Sequence, residues 1–176
     1  MGEPLLDPEG QPGLTPEVLC ARYSDRVYRF AAMVSKNAHD AEDLAQTALE
    51  RAIRARSRFD PRRGDVEGWL WRIVANAAGD ARRGARRRRL MERLLARQAG
   101  LVAHQGPPET ADEVLLAAVR RLPHRQRAAI ALRYGADLDL RAVGATLGVS
   151  VAGAGMMIRR ALDRLRTELT HKEMQP

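Results

Sequence analysis

The sequence predicts an all-α protein of two small helical domains joined by a flexible linker, the second containing a helix-turn-helix. Three observations carry that prediction. Aromatic residues make up only 4% of the 176 residues while apolar residues make up 45%. The cores must therefore be built from Leu, Val, Ile, Ala and Met, which suits helices better than sheets. Apolar residues recur at three- and four-residue steps along several stretches, and no alternating run is long enough for a strand. Finally, AGLVAHQGPPET at 99–110 carries Gly and Pro-Pro and few large apolar residues, the composition of a linker.

The elements follow in order. The first 14 residues carry three Pro and three Gly and are read as a mobile tail. Thr15-Pro16 starts a helix, with Thr as N-cap and Pro at the first helical position. Leu19, Tyr23, Val27, Phe30 and Val34 extend it to about Lys36. Asp40-Ala-Glu-Asp43 resembles a capping box and opens a second helix, with Leu44, Ala48, Ala52 and Ile53 inward. FDPRRGDVEG at 59–68 breaks the pattern and predicts a loop. A third helix starts near Asp65 or Val66, turns Trp69, Leu70, Ile73, Val74 and Ala77 inward, and runs on into ARRGARRRRL. Beyond the linker, helices are expected over 111–122 and 124–134, split at Pro123. A pair follows over 138–147 and 151–169, joined by Gly148-Val149-Ser150, with Ile158, Leu162, Leu165 and Leu169 on one face. The expected boundaries are a tail at 1–14, a first domain at 15–92, a linker at 93–111, a second domain at 112–170 and a tail at 171–176.

Charge sets the class of partner. The net charge is +8 and the isoelectric point near 10.8, a balance that points to nucleic acid or an anionic surface. Its distribution is uneven. Residues 51–97 hold 15 Arg against five acids, a local +10, so the rest of the chain sums to −2. Cys20 is alone, which excludes a disulfide framework or thiolate cluster within one chain. The four His are scattered, no H-E-x-x-H occurs, and GAGMMI follows no strand and fails the dinucleotide pattern. No catalytic residue, metal or cofactor is therefore expected. No stretch of about 18 apolar residues and no signal pattern occurs, so membrane insertion is not expected and a cytoplasmic location is. Two helices joined by a Gly-containing turn, LGVS here, are the helix-turn-helix arrangement, whose second helix enters the major groove.

Together these segments resemble the small, two-domain extracytoplasmic-function group of bacterial RNA polymerase sigma factors. DAEDLAQTALERAI (40–53) looks like the family's helix that docks on the polymerase clamp. WLWRIVANAAGDARR (69–83) is similar to its W-L-x-x-I-x-x-N-x-x-x-D-x-x-R core, here Trp69, Leu70, Ile73, Asn76, Asp80 and Arg83. LPHRQRAAIALRYGADLDLRAVGATLGVS (122–150) looks like its promoter-binding domain. The order and spacing of the three blocks make the resemblance specific.

The resemblance implies a protein that binds core polymerase (the clamp of the beta-prime subunit and the flap of the beta subunit) and directs promoter-specific initiation. An anti-sigma partner is also implied. Asp40, Glu42, Asp43, Gln46 and Glu50 would form the polymerase-binding face; helix-dipole stabilisation accounts for Asp40 to Asp43 but not for Gln46 and Glu50. Minus-ten strand capture and upstream duplex contact would fall to Arg62, Arg63, Trp71, Arg72, Asn76, Asp80, Arg82, Arg83, Arg86 and Arg87. Trp69 and Trp71 cannot face the same way. By family pattern Trp69 is core, leaving Trp71 either a stacking surface for an unpaired base or an ordinary partly buried Trp.

The second domain departs from the family pattern. Where relatives carry Thr-Val-Lys-Ser-Arg-Leu, this chain has Gly153, Ala154, Gly155, Met156, Met157 and Ile158, so both cations are gone. In the bracing helix the usual Ala is Gly144 and the usual Glu is Ala142. Arg125, Arg141, Ala152, Gly153, Gly155, Met156, Arg159 and Arg160 are the expected minus-thirty-five contacts, with the reading helix either weakened or given a different specificity. Two other readings stand beside this one, a freestanding helix-turn-helix regulator and a sigma-like protein with impaired minus-thirty-five recognition. The first leaves the acidic second helix and the Asn76–Asp80–Arg83 block without a role.

Overall fold

A computed structural model of the chain describes residues 14–99 and 110–173. Among them are seven α-helices and no strand. The expected tails at 1–14 and 171–176 and the linker at 93–111 fall largely outside the described residues. Leu14 does not belong to a tail, because it packs against the core.

Helix α1 spans Pro16–Val34 and starts as expected, with the Thr15 hydroxyl accepting from the Val18 N–H at 3.3 Å. Its apolar stripe of Leu19, Tyr23, Val27, Phe30 and Ala31 is buried. Helix α2 spans Ala38–Ala55. Its N-cap is Asn37, whose side chain accepts from the Asp40 N–H at 2.7 Å. The expected capping box of Asp40 and Asp43 does not form, because Asn37 meets the first-turn donor three residues earlier. That earlier start also ends α1 before Lys36. Leu44, Ala48 and Ala52 are buried as expected, while Ile53 is half-buried.

Two short 3-10 turns, Arg56–Arg58 and Pro61–Arg63, lead to α3. Helix α3 spans Val66–Ala99, begins where the Asp65 carboxylate accepts from the Gly68 N–H at 2.7 Å, and is about 50 Å long at 1.5 Å per residue. Its last turns occupy sequence assigned to the linker.

Helix α4 (Ala111–Arg121) opens on a complete capping box between Thr110 and Glu113. Helix α5 (His124–Ile130) passes into a π-helical turn over Ala131–Gly135. Helices α6 (Leu140–Leu147) and α7 (Val151–Glu173) follow. No single helix among the described residues is long and apolar enough to cross a membrane.

The two helical groups pack against each other. Helix α1 packs on α2 and α3 through one face and on the π-turn through another, while α6 rests against α3. Carbonyls at the end of a helix lack intrahelical donors, and α1 supplies them from the other group. Arg26 Nε donates to the Ala136 carbonyl at 2.7 Å and Arg29 Nε to the Gly135 carbonyl at 3.0 Å. In return, Arg120 Nε on α4 donates to the carbonyl of Ser35, at the end of α1, at 2.9 Å. Gly135 makes the approach possible, since a Cβ there would lie 2.9 Å from Met33 Sδ and 3.1 Å from the Phe30 nitrogen.

Candidate nucleic-acid interface

The helix α3 core stripe consists of Leu70, Trp71, Val74 and Ala77, all buried. Trp71 is completely buried, meets Phe30 edge-to-face with ring centroids 5.9 Å apart, and has the Arg26 guanidinium 5.6 Å from its ring. It is therefore no surface for a base, which corrects the sequence expectation. Its Nε1 finds no hydrogen-bond partner, so packing rather than hydrogen bonding holds it. Trp69, expected in the core, is half-buried and tilts against Phe59 with centroids 5.5 Å apart. The exchange reflects a shift of the inward face along α3, set by where Phe30 of α1 presses.

Phe59 and Trp69 flank the 59–68 loop and form an aromatic pair that the sequence reading missed. The available signal was Phe59 at the edge of the loop, facing a tryptophan that period alone assigned to the core. Within the loop, Arg62 and Arg63 are exposed. Asp60 accepts from the Arg62 N–H at 3.0 Å, and Gly64 sits at φ 139°, a conformation that disfavours other residues.

Further along α3, Arg72, Asn76, Asp80 and Arg83 are exposed. Asp80 is not a free group. Its carboxylate accepts from Arg51 of α2 at 2.6 Å and from Arg83 at 2.5 Å. These two hydrogen bonds, Arg51 first, hold its pKa below the ordinary value of 3.8. Asp80 thus ties α3 to α2 and orients Arg83. Arg82, Arg86 and Arg87 are exposed and form no ion pair among the described residues. They remain available for phosphate.

The acidic set on α2 divides. Glu42, Asp43 and Gln46 are exposed, and Gln46 Nε2 donates to Glu50 Oε1 at 3.0 Å while Arg54 reaches the other Glu50 oxygen at 3.1 Å. Asp43 faces His39 at 3.6 Å. Asp40 is half-buried and, with Asp43, turns towards a cleft between the helical groups.

The helix-turn-helix is built by local chemistry. Asp139 caps α6 by accepting from the Ala142 N–H at 2.7 Å, and Gly148 closes it in the left-handed region at φ 66°. Ser150 caps α7 by accepting from the Gly153 N–H at 3.1 Å. The chain bends by 98° between the two helices, within the range of DNA-binding units. Gly144 lets the turn close, because a Cβ there would lie 2.8 Å from the Val149 carbonyl oxygen.

Ala154, Ile158, Ala161 and Leu165 are the buried stripe of α7. Ala152, Met156, Arg159 and Arg160 are exposed, so the outward face of its first turns is small and apolar before it becomes cationic. Gly153 and Gly155 are half-buried at its flanks, one beside Ser150 and the other beside Leu140. Arg141 is exposed, and Arg125 donates to the Leu147 carbonyl at 3.4 Å.

Comparison with known proteins agrees with this geometry. Residues 19–88 match sigma-70 region 2 and residues 118–167 match sigma-70 region 4. The chain is 36% identical to the ECF RNA polymerase sigma factor SigE of Mycolicibacterium smegmatis, over 96% of this chain and 67% of that protein. It is 31% identical to the RNA polymerase sigma factor CarQ of Myxococcus xanthus, over 90% of this chain and 91% of that protein. Among solved structures it resembles the sigma factor RpoE in complex with the anti-sigma factor NepR from Bartonella quintana. That match has a TM-score of 0.66 and 21% identity, covers 88% of this chain and 96% of that one, and speaks for the fold. On the two region matches and these identities, the chain belongs to the extracytoplasmic-function RNA polymerase sigma factors, non-enzymatic proteins that direct core polymerase to promoters.

Proposed function

We propose that residues 15–92 carry polymerase binding and minus-ten capture, and that residues 112–170 bind the minus-thirty-five duplex. The observation that carries this division is the exposed, unpaired Arg82, Arg86 and Arg87 on α3, set apart from the capped helix-turn-helix of α6 and α7. Arg62, Arg63 and Arg72 hold the opened strand by its phosphates, beside the Phe59–Trp69 pair and Asn76. Arg82, Arg83, Arg86 and Arg87 position upstream duplex without reading it. Asp80 acts by orienting Arg83.

Glu42, Gln46 and Glu50 form the centre of the clamp-docking face, with Asp40 and Asp43 at its edge. In the second group, Ala152 and Met156 meet thymine methyls, while Arg125, Arg141, Arg159 and Arg160 contact phosphates. Gly153 and Gly155 leave the backbone room to approach. The protein acts in the cytoplasm, where core polymerase is, and is restrained by an anti-sigma partner.

Run-off transcription with purified core polymerase tests the reading. The wild type should co-elute with core enzyme and support promoter-specific initiation. Gln46→Ala with Glu50→Lys should abolish co-elution while leaving helix content unchanged; unaltered affinity for core would refute the docking face. Tight operator binding without polymerase and no initiation would instead favour a freestanding regulator.

A further inference from the structure

The contact between the two helical groups encloses a cleft of about 950 Å³, at the upper end of the range of about 300–1,000 Å³ for small-ligand sites. Its walls come from α2, α3, α4 and α5 together with the end of α1, so it exists only while the groups are together. Eight cationic side chains line it against three carboxylates. One of those carboxylates, Asp80, is already engaged by Arg51 and Arg83.

The cationic surplus is concentrated where α3 faces α4 and α5. Arg127 is half-buried, its Nη1 donates to the Arg120 carbonyl at 2.7 Å, and its buried Nε has no partner. Arg82 and Arg89 on α3 and Arg120 on α4 are the charges that act on it, and no described carboxylate is among them. Burial first, and then these guanidinium groups, lower its pKa. Neighbouring His124 is also held below its ordinary value, by partial burial and by Arg82, Arg127 and Arg125. Like charges gathered in a partly desolvated cleft are costly unless an anion joins them. Planar guanidinium forks match phosphate oxygens two at a time.

We propose that this cleft is a binding site for a short phosphate chain, the oligophosphate of inorganic triphosphate or of a nucleotide, held by Arg82, Arg89, Arg120 and Arg127. Its charge would bridge α3 to α4 and α5 and so hold the two helical groups together. Arg82 would then be withdrawn from DNA, making the bound form the one less able to hold upstream duplex. A phosphate chain offers more oxygens to guanidinium groups on three helices than a single phosphate or sulfate does, so chain length is the expected selectivity.

Isothermal titration of the full chain with sodium triphosphate tests the site, with orthophosphate and sulfate compared at equal ionic strength. Triphosphate should bind at least tenfold more tightly than either, with one ligand per chain. Arg82→Gln with Arg89→Gln should weaken it at least tenfold. Both side chains are exposed, so the fold should survive, as circular dichroism would verify. Arg164→Gln with Arg166→Gln removes the same charge from exposed positions of α7 that do not line the cleft, and should change affinity less than twofold.

An equal loss in both double variants would show mere polyanion attraction and overturn the proposal. So would equal binding of orthophosphate. A hexaglutamate peptide that binds more tightly than triphosphate, with the same sensitivity to Arg82 and Arg89, would assign the cleft to an acidic protein segment instead. ATP and triphosphate binding equally would place recognition in the phosphates; tighter ATP binding would extend the site to the nucleoside.

Discussion

Gly155 offers the most direct way to ask what the atypical reading helix does. It lies within α7, where glycine costs about 1 kcal/mol relative to Ala. Its φ is not positive, and an added Cβ would meet only Leu140 Cδ1, at an ordinary 3.8 Å. Nothing in the fold therefore requires a glycine. Gly155→Ala should raise stability by about 1 kcal/mol, or about 2–4 °C in Tm for a chain of this size.

Gly155→Lys asks the functional question. Lysine recovers most of the helix propensity but stands near the positive end of α7, which returns about 0.3–1 kcal/mol. Its stability should thus lie close to wild type. On duplex DNA it adds one cation beside Arg159, and each phosphate neutralised steepens the salt dependence by about 0.9 in log–log slope. Between 50 and 200 mM salt the variant should lose about three- to fourfold more affinity than wild type, from a tighter starting point. Fluorescence anisotropy with a minus-thirty-five duplex across that salt range reads both quantities. A lower Tm for Gly155→Ala would show that the glycine is needed structurally. Weaker binding by Gly155→Lys with an unchanged slope would show that backbone approaches DNA there. Gly153 is a poorer test site, because a Cβ there would lie 3.2 Å from the Ser150 hydroxyl that caps the helix.

Three further outcomes are expected. Gly135→Ala places a methyl against the backbone of α1 and should cost about 1–3 kcal/mol as an overpacking change; small-angle scattering should show the helical groups separating, and an unchanged radius with an unchanged Tm would refute the tight approach. Trp71→Ala should cost about 3–5 kcal/mol through the cavity it leaves, read by urea denaturation, whereas a wild-type midpoint with defective promoter melting would return Trp71 to the DNA surface. The pKa of Asp80 is lowered in the folded chain, so its stabilising contribution is complete above its ordinary value of 3.8 and is lost as pH falls below that. Asp80→Asn should therefore flatten the acid limb of a stability–pH curve, and an unaltered limb would mean that the Arg51 and Arg83 bonds do not form in solution.

Much of the architecture was legible because local chemistry dictates it. Thr15-Pro16, Pro123, Gly148 and Ser150 mark helix ends through backbone geometry that needs no tertiary partner, and period alone identified most of the buried stripe of α1; on α7 it found Ile158 and Leu165, while Ala154 and Ala161 complete the buried stripe and Leu162 and Leu169 are half-buried. Charge counting located the Arg-rich helix, since solvated arginines announce themselves by composition. Legibility failed where two local solutions compete or where a partner decides. Asn37 and Asp40 are both competent caps, and the chain used the earlier one. Trp69 and Trp71 lie on faces about 200° apart on a 3.6-residue helix, and only the position of Phe30 on α1 determines which is core.

The sequence by itself determined the helices, the cap of α1, the turn of the helix-turn-helix and the concentration of positive charge, because each depends on residues within a few positions of one another. Tertiary structure alone decided that Trp71 is core and Trp69 is not, that Asp80 is bound by Arg51, and that the two helical groups meet through Gly135. It also decided that Arg82, Arg89, Arg120 and Arg127 gather in one cleft. Those outcomes depend on groups between 29 and 110 positions apart in sequence, brought together by the burial of apolar surface on α1, and no local pattern encodes that pairing.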